Sequence, residues 1–214
     1  MFRFVVLLLA FGAFAVPARA QLIRGYGIKA GLTAANVRSP DLNPDSENPI
    51  RFDTVRRYGV AALAYAEWLN LSFLSIVTEG GYVQRGYAME HEVRDLNNNP
   101  AGTARFDWRF DYLSFAAQAK LRAPGGVVAP YVTGGPRLDV YLGGSPGEDG
   151  SLAAAYSPTA FGVTAGVGVE AAQLLPVAVF GEVRYNVDFT NSLPDDVPRD
   201  AYNNALDVLV GVRL

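Results

Sequence analysis

The chain contains no cysteine. That removes disulfides from the account of its stability, and with them the lipid-modified cysteine that anchors an exported lipoprotein. Beyond residue 20 no apolar run is long enough for a membrane-spanning helix, which needs about 20 consecutive residues. There is a single histidine, His91, and no basic stripe, with 18 Lys and Arg against 21 Asp and Glu. A chain with that balance is a poor partner for nucleic acid or another polyanion.

The first twenty residues have a pattern of their own. Arg3 supplies a positive start, Phe4 to Val16 is an apolar stretch of thirteen residues, and Ala18-Arg19-Ala20 is a small-x-small triplet. Thirteen is short for a span and typical of a secretory signal peptide, so residues 1–20 read as a leader cut before Gln21. Residues 21–214 then form one exported domain, 194 residues long with 16 basic and 21 acidic side chains, a net of −5.

What fills the remaining chain is alternation. Leu206, Val208, Val210, Val212 and Leu214 are separated by Asp207, Leu209, Gly211 and Arg213. Successive side chains of a strand face opposite sides, so such a segment sets one face in lipid and the other against something polar. Eight strands are predicted, at about 24–37, 54–69, 71–89, 104–122, 127–142, 158–172, 177–190 and 204–214. The links at 38–53, 90–103, 143–157 and 191–203 are long and rich in Pro, Asn, Asp and Gly. Those at Leu69-Asn70, Ala123 to Gly126 and Gln173 to Pro176 are short. Strict rotation of long and short links predicts an all-β fold, an eight-stranded antiparallel up-and-down transmembrane β-barrel in the outer membrane.

Parity assigns the faces. Tyr26, Ile28, Leu32, Val60, Phe115, Val132, Val167 and Val183 are predicted to face lipid, with Trp68, Tyr185 and Phe189 in aromatic girdles near strand ends. The charges fall on the other parity: Lys29, Arg57, Arg85, Lys120, Arg122, Arg137, Arg184 and Arg213 against Glu67, Glu79, Asp139, Glu170, Glu182, Asp188 and Asp207. A charge facing lipid at mid-bilayer costs about 2–4 kcal/mol, so these side chains belong inside, either as a packed polar core or as the constriction of a narrow pore. Near-equal numbers of the two signs in a lumen of eight strands favour the core. Inward Gly27, Gly31, Gly59, Gly135, Gly162, Gly166 and Gly168 are expected to make room for the long charged side chains. One segment conflicts with this parity: Phe106, Trp108 and Phe110 are even, while Leu113, Phe115 and Ala117 are odd. Either a β-bulge near Asp111–Tyr112 reconciles them or the upper stretch stands above the bilayer.

Several segments, in order along the mature chain, resemble the PorT-like outer-membrane β-barrel family, often labelled "porin family". They are Gly27 to Val37 (GIKAGLTAANV), Glu79 to Tyr87 (EGGYVQRGY), Pro130 to Pro136 (PYVTGGP), Gly162 to Glu170 (GVTAGVGVE) and Glu182 to Asn191 (EVRYNVDFTN). Ala116 stands where that family usually has proline, and the final residue is Leu214 where it usually has an aromatic. The resemblance implies an eight-stranded outer-membrane barrel. The family's namesake is linked to a protein-secretion system, a role these motifs do not carry.

Catalytic material is sparse. His91 lies between Glu90 and Glu92 in the second long link, and Ser39, Ser145 or Ser151 are the serines that a lipid-acting enzyme would pair with it. No motif fixes such a partner, so a solvated loop histidine is the simpler reading. Asp41, Asp45 and Glu47, or Asp195, Asp196 and Asp200, offer oxygens to a hard cation without the spacing of a calcium loop. No enzyme activity, metal or cofactor is therefore expected. The expected protein is a monomer in the lipid bilayer, meeting envelope partners through its four long links.

Overall fold

The computed structural model describes residues 23–38, 54–69, 71, 73–94, 99–124, 127–145, 157–171, 177–190 and 202–214. The predicted leader lies outside these residues, as do most of the links at 38–53, 143–157 and 191–203. The strands are β1 (Ile23–Arg38), β2 (Thr54–Trp68), β3 (Leu74–Arg94), β4 (Pro100–Arg122), β5 (Val128–Ser145), β6 (Thr159–Ala171), β7 (Ala178–Asp188) and β8 (Tyr202–Arg213). Each pairs antiparallel with its sequence neighbour. The ring closes between β1 and β8, where Gly27 stands opposite Arg213 and Asn36 opposite Asn204. Closure pairs the strand edges that a bilayer would leave unsatisfied.

The alternation read from the sequence is the alternation of the wall. On β8, Asp207 and Leu209 are buried in the lumen, and Leu206, Val208 and Val210 are exposed outside. Exposed Tyr26, Phe73, Tyr58, Phe161, Tyr185 and Phe189 lie toward the two ends of the apolar belt. This is the distribution of a membrane barrel, whose apolar face looks outward.

Three details depart from the sequence reading. First, β4 keeps one parity throughout: Phe110, Tyr112, Ser114, Ala116, Gln118, Lys120 and Arg122 are all buried. Phe106, Trp108 and Phe110 therefore lie on the lumen side, and the strand neither flips nor leaves the alternation. The register does shift at Asp111/Tyr112, but the extra residue is Leu142 on the partner strand β5. Gly143 follows it at φ +153°. Second, pairing of β3 with β4 continues through Glu90↔Arg105, His91↔Ala104, Glu92↔Thr103 and Val93↔Gly102. The predicted link 90–103 thus contracts to 95–99, and His91 lies in a strand. Arg105 ties the tip together, 3.3 Å from Glu90 and from Asp107; the Asp107 hydrogen bond raises its pKa above the ordinary arginine value.

Third, Arg57 is not a lumen residue. One extra β2 residue between Arg56 and Ala61 opposes Gly86, which adopts φ +130°. The charged groups that act on Arg57 are Asp107, Arg109 and Asp111, joined by Tyr82. Tyr82 and Asp111 are hydrogen bonded at 2.8 Å on the outer wall. The bulge has turned the guanidinium out of the barrel.

Candidate functional site

The lumen holds the charged side chains in three tiers. In the middle, Lys29 Nζ lies 2.5 Å from Glu79 Oε2, and Arg184 Nη1 lies 2.5 Å from Glu79 Oε1. Arg184 Nε and Lys29 Nζ also reach Glu182 Oε1, at 3.0 and 3.5 Å. Two cations meet two carboxylates, and all four side chains are buried. β3 and β7 are four strands apart in a ring of eight, so the Glu79–Arg184 pair spans the barrel.

Toward the long links, Arg85 Nε lies 3.2 Å and Arg137 Nε 3.3 Å from Asp139 Oδ2, and Arg137 also pairs with Asp188. Asp207 accepts a 2.8 Å hydrogen bond from Asn186. Above this tier an aromatic cap of Tyr87, Phe110, Tyr112 and Val37 is packed against Trp108 and Tyr141. Tyr87 and Trp108 are stacked, with centroids 5.1 Å apart. Of the residues that conflict with parity in the sequence, Phe110 and Trp108 belong to this cap.

At the short-turn end, Glu67 and Glu170 are surrounded. Lys120 is 3.3 Å from Glu67 and 2.8 Å from Glu170. Arg122 is 2.7 Å from Glu67 and 3.6 Å from Glu170. Arg213 is 2.6 Å from Glu170 and 3.6 Å from Glu67. Arg24 adds a contact to Glu67 at 3.5 Å. Between this tier and the middle one lies a second apolar layer of Tyr65, Val77, Tyr131 and Phe180. Lys120 Nζ sits 4.3 Å over the Tyr131 ring, and the Tyr131 hydroxyl donates to Glu182 at 2.9 Å.

Apart from Arg57, the charged residues assigned to the lumen have a place in this stack: Glu67, Lys120, Arg122, Glu170 and Arg213 below, Lys29, Glu79, Glu182 and Arg184 in the middle, Arg85, Arg137, Asp139, Asp188 and Asp207 above. Arg24 was not foreseen, because its even number assigns it to lipid. Its pairing explains the difference: β1 slips by one residue between Ile23 and Gly25, and the extra residue turns in toward Glu67. Gly166 makes room for a charged side chain as expected, since a Cβ there would lie 2.9 Å from Arg184 Cβ, but four other inward glycines have another cause. A Cβ at Gly27, Gly31, Gly135 or Gly162 would strike a carbonyl oxygen of the adjacent strand, of Val212, Val208, Ala117 and Val187 respectively. Close approach of backbones explains them. Gly168 does serve a side chain, since a Cβ there would strike the Tyr131 ring.

Among the described residues no group of three metal-ligating side chains occurs. His91 has backbone partners on β4, and the serines considered with it lie outside the described residues or at the end of β5.

The sequence matches the family described as outer membrane protein beta-barrel domain over residues 6–213. No curated protein matches the chain. Among solved structures, Neisserial surface protein A is 16% identical, with 88% of this chain and 97% of that chain covered at a TM-score of 0.47. The outer membrane protein OprG from Pseudomonas aeruginosa is 9% identical, with 92% and 97% covered and a TM-score of 0.50. Ail of Yersinia pestis is 12% identical, with 91% and 100% covered and a TM-score of 0.41. At such identities the likeness concerns the fold alone. The match over nearly the whole sequence, on a closed ring of eight strands with its apolar face outward, assigns this chain to the outer membrane protein β-barrel domain family.

Proposed function

We propose that the protein is a non-enzymatic envelope component that works through its two ends, as a monomeric scaffold presenting its long links to other envelope proteins. The observation that supports this most directly is the filled lumen. Glu79 and Arg184 meet across the barrel, with an apolar layer on one side and an aromatic cap beyond the other tier. Side chains that fill the interior of an eight-stranded barrel leave no aqueous channel. The surfaces that remain are the rims, and among the described residues β3 and β4 are the longest strands.

Within the family, the PorT-like group is the reading favoured by EGGYVQRGY at 79–87 and PYVTGGP at 130–136. An accessory role in a secretion or envelope assembly is part of this proposal, although the motifs themselves do not carry it. Crosslinking in the native envelope through photoreactive residues at 95–99 and 191–201 tests it. The expected product is a discrete adduct with a second envelope protein. Adducts with lipid alone would overturn the reading, as would hydrolysis of outer-leaflet lipid by purified protein that disappears on His91→Ala.

A further inference from the structure

Glu67 is touched by four cations. Arg24 and Arg122 share its Oε1, at 3.5 and 2.7 Å, and Lys120 and Arg213 share its Oε2, at 3.3 and 3.6 Å. Three of the four also contact Glu170, the other carboxylate of this tier. The lumen as a whole is close to neutral, yet here four positive groups face two negative ones. The middle tier has two of each, and the tier toward the long links has Arg85 and Arg137 against Asp139, Asp188 and Asp207. The excess is therefore local.

The neighbouring turns do not supply the missing charge. Residues 70, 72, 125–126 and 172–176 include no Asp or Glu. The carboxylates are also committed: Glu67 Oε1 accepts from Ser75 at 2.7 Å as well as from Arg122. Among the described residues Arg122 Nε and Nη1 have no hydrogen-bond partner, although the Arg122 side chain is only 7% exposed. Buried cations in such a setting are stabilised by an anion, and guanidinium groups bind oxyanions through paired N–H donors. The site has a floor, made by Tyr65, Val77, Tyr131 and Phe180. It has an entrance, because the rim side chains Arg24 and Arg213 are 21% and 15% exposed. In an outer-membrane barrel the short turns face the periplasm.

We propose that this periplasmic mouth is a binding site for a phosphate group, held by Arg122 with Arg24, Lys120 and Arg213 around it. The phosphate reaches it either as a free anion or as the headgroup of an inner-leaflet phospholipid, and the chemistry of recognition is the same. Net acidity of the chain conceals the site, since the compensating carboxylates lie elsewhere.

The test uses the mature barrel in dodecyl maltoside micelles at constant ionic strength, with inorganic phosphate replacing chloride and arginine Nε–Hε resonances recorded by NMR. A parallel arm adds phosphatidylglycerol, or diacylglycerol, which lacks phosphate, as control, without inorganic phosphate. The expected result is a saturable shift of the Arg122 and Arg24 signals. Arg122→Gln weakens it at least tenfold, Arg24→Gln weakens it several-fold, and Glu67→Gln strengthens it by removing a competing carboxylate. Saturation by inorganic phosphate identifies the free anion; saturation by phosphatidylglycerol alone identifies the headgroup. Arg24 lies at the rim and its variant keeps the closed barrel, so a folding failure of Arg122→Gln leaves the test intact. Absence of saturation in both arms, or affinity unchanged in both Arg24→Gln and Glu67→Gln, overturns the proposal.

Discussion

Arg184 of β7 and Glu79 of β3 meet across the width of the barrel, Nη1 to Oε1 at 2.5 Å. Lys29 completes the arrangement from β1, 2.5 Å from the other Glu79 oxygen. One carboxylate thus pairs with two cations from two other strands. Its removal leaves both buried without their main partner, at a cost of about 3–5 kcal/mol for a broken buried pair. Glu79→Ala is expected to lower the urea midpoint of unfolding from lipid vesicles correspondingly, and Glu79→Asp less so. A midpoint unchanged by Glu79→Ala would mean that the tier contributes nothing to stability.

The same crossing governs conduction. Purified monomer in planar bilayers is expected to give no steady, large, ion-selective conductance, and liposomes containing it are expected to take up little solute. Reproducible open channels from the unaltered protein would show that the tiers part readily. Glu79→Ala combined with Arg184→Ala removes the crossing pair, and is expected to raise the frequency of brief small conductance events.

Gly168 and Tyr131 allow a packing test. A Cβ at position 168 would strike the Tyr131 ring, and overpacking of this kind costs about 1–3 kcal/mol. Gly168→Ala should therefore destabilise the barrel, and adding Tyr131→Leu should recover part of the loss. A double-mutant cycle measures the recovery. Strict additivity of the two changes would place the ring elsewhere.

The outer wall is tested on β8. Val208 lies mid-strand between Leu206 and Val210, all three exposed, while its chain neighbours Asp207 and Leu209 are buried. Val208→Arg sets a charge in lipid, which costs about 2–4 kcal/mol near the bilayer midplane. Folding into vesicles, followed by heat-modifiable electrophoretic mobility, should show that loss. Val208→Leu should leave folding unchanged.

How far the sequence reaches is clearest where pairing is regular. On β8, and on β4 from Phe110 to Arg122, side chains two apart share a face because the strand period is two. Lys29, Glu79, Lys120, Glu182 and Arg184 could therefore be assigned to the lumen from residue numbers alone. Phe106, Trp108 and Phe110 obeyed the same rule. They looked anomalous only because aromatics were associated with lipid, whereas the lumen toward the long links is itself capped by rings. Arg24 and Arg57 are different. Each lies at a register shift, and one extra residue reverses the side on which a side chain emerges.

The sequence by itself therefore determined the number of strands, their order and the lipid-facing side, all of which follow from local alternation and link length. Tertiary structure alone decided which charges meet. Lys29, Glu79 and Arg184 are brought together by the angular positions of β1, β3 and β7 around a closed ring, although Glu79 and Arg184 are 105 residues apart in sequence. It also decided that four cations gather on Glu67 while the other tiers carry no positive excess, because axial height in a barrel depends on register between strands, and register is a property of pairs.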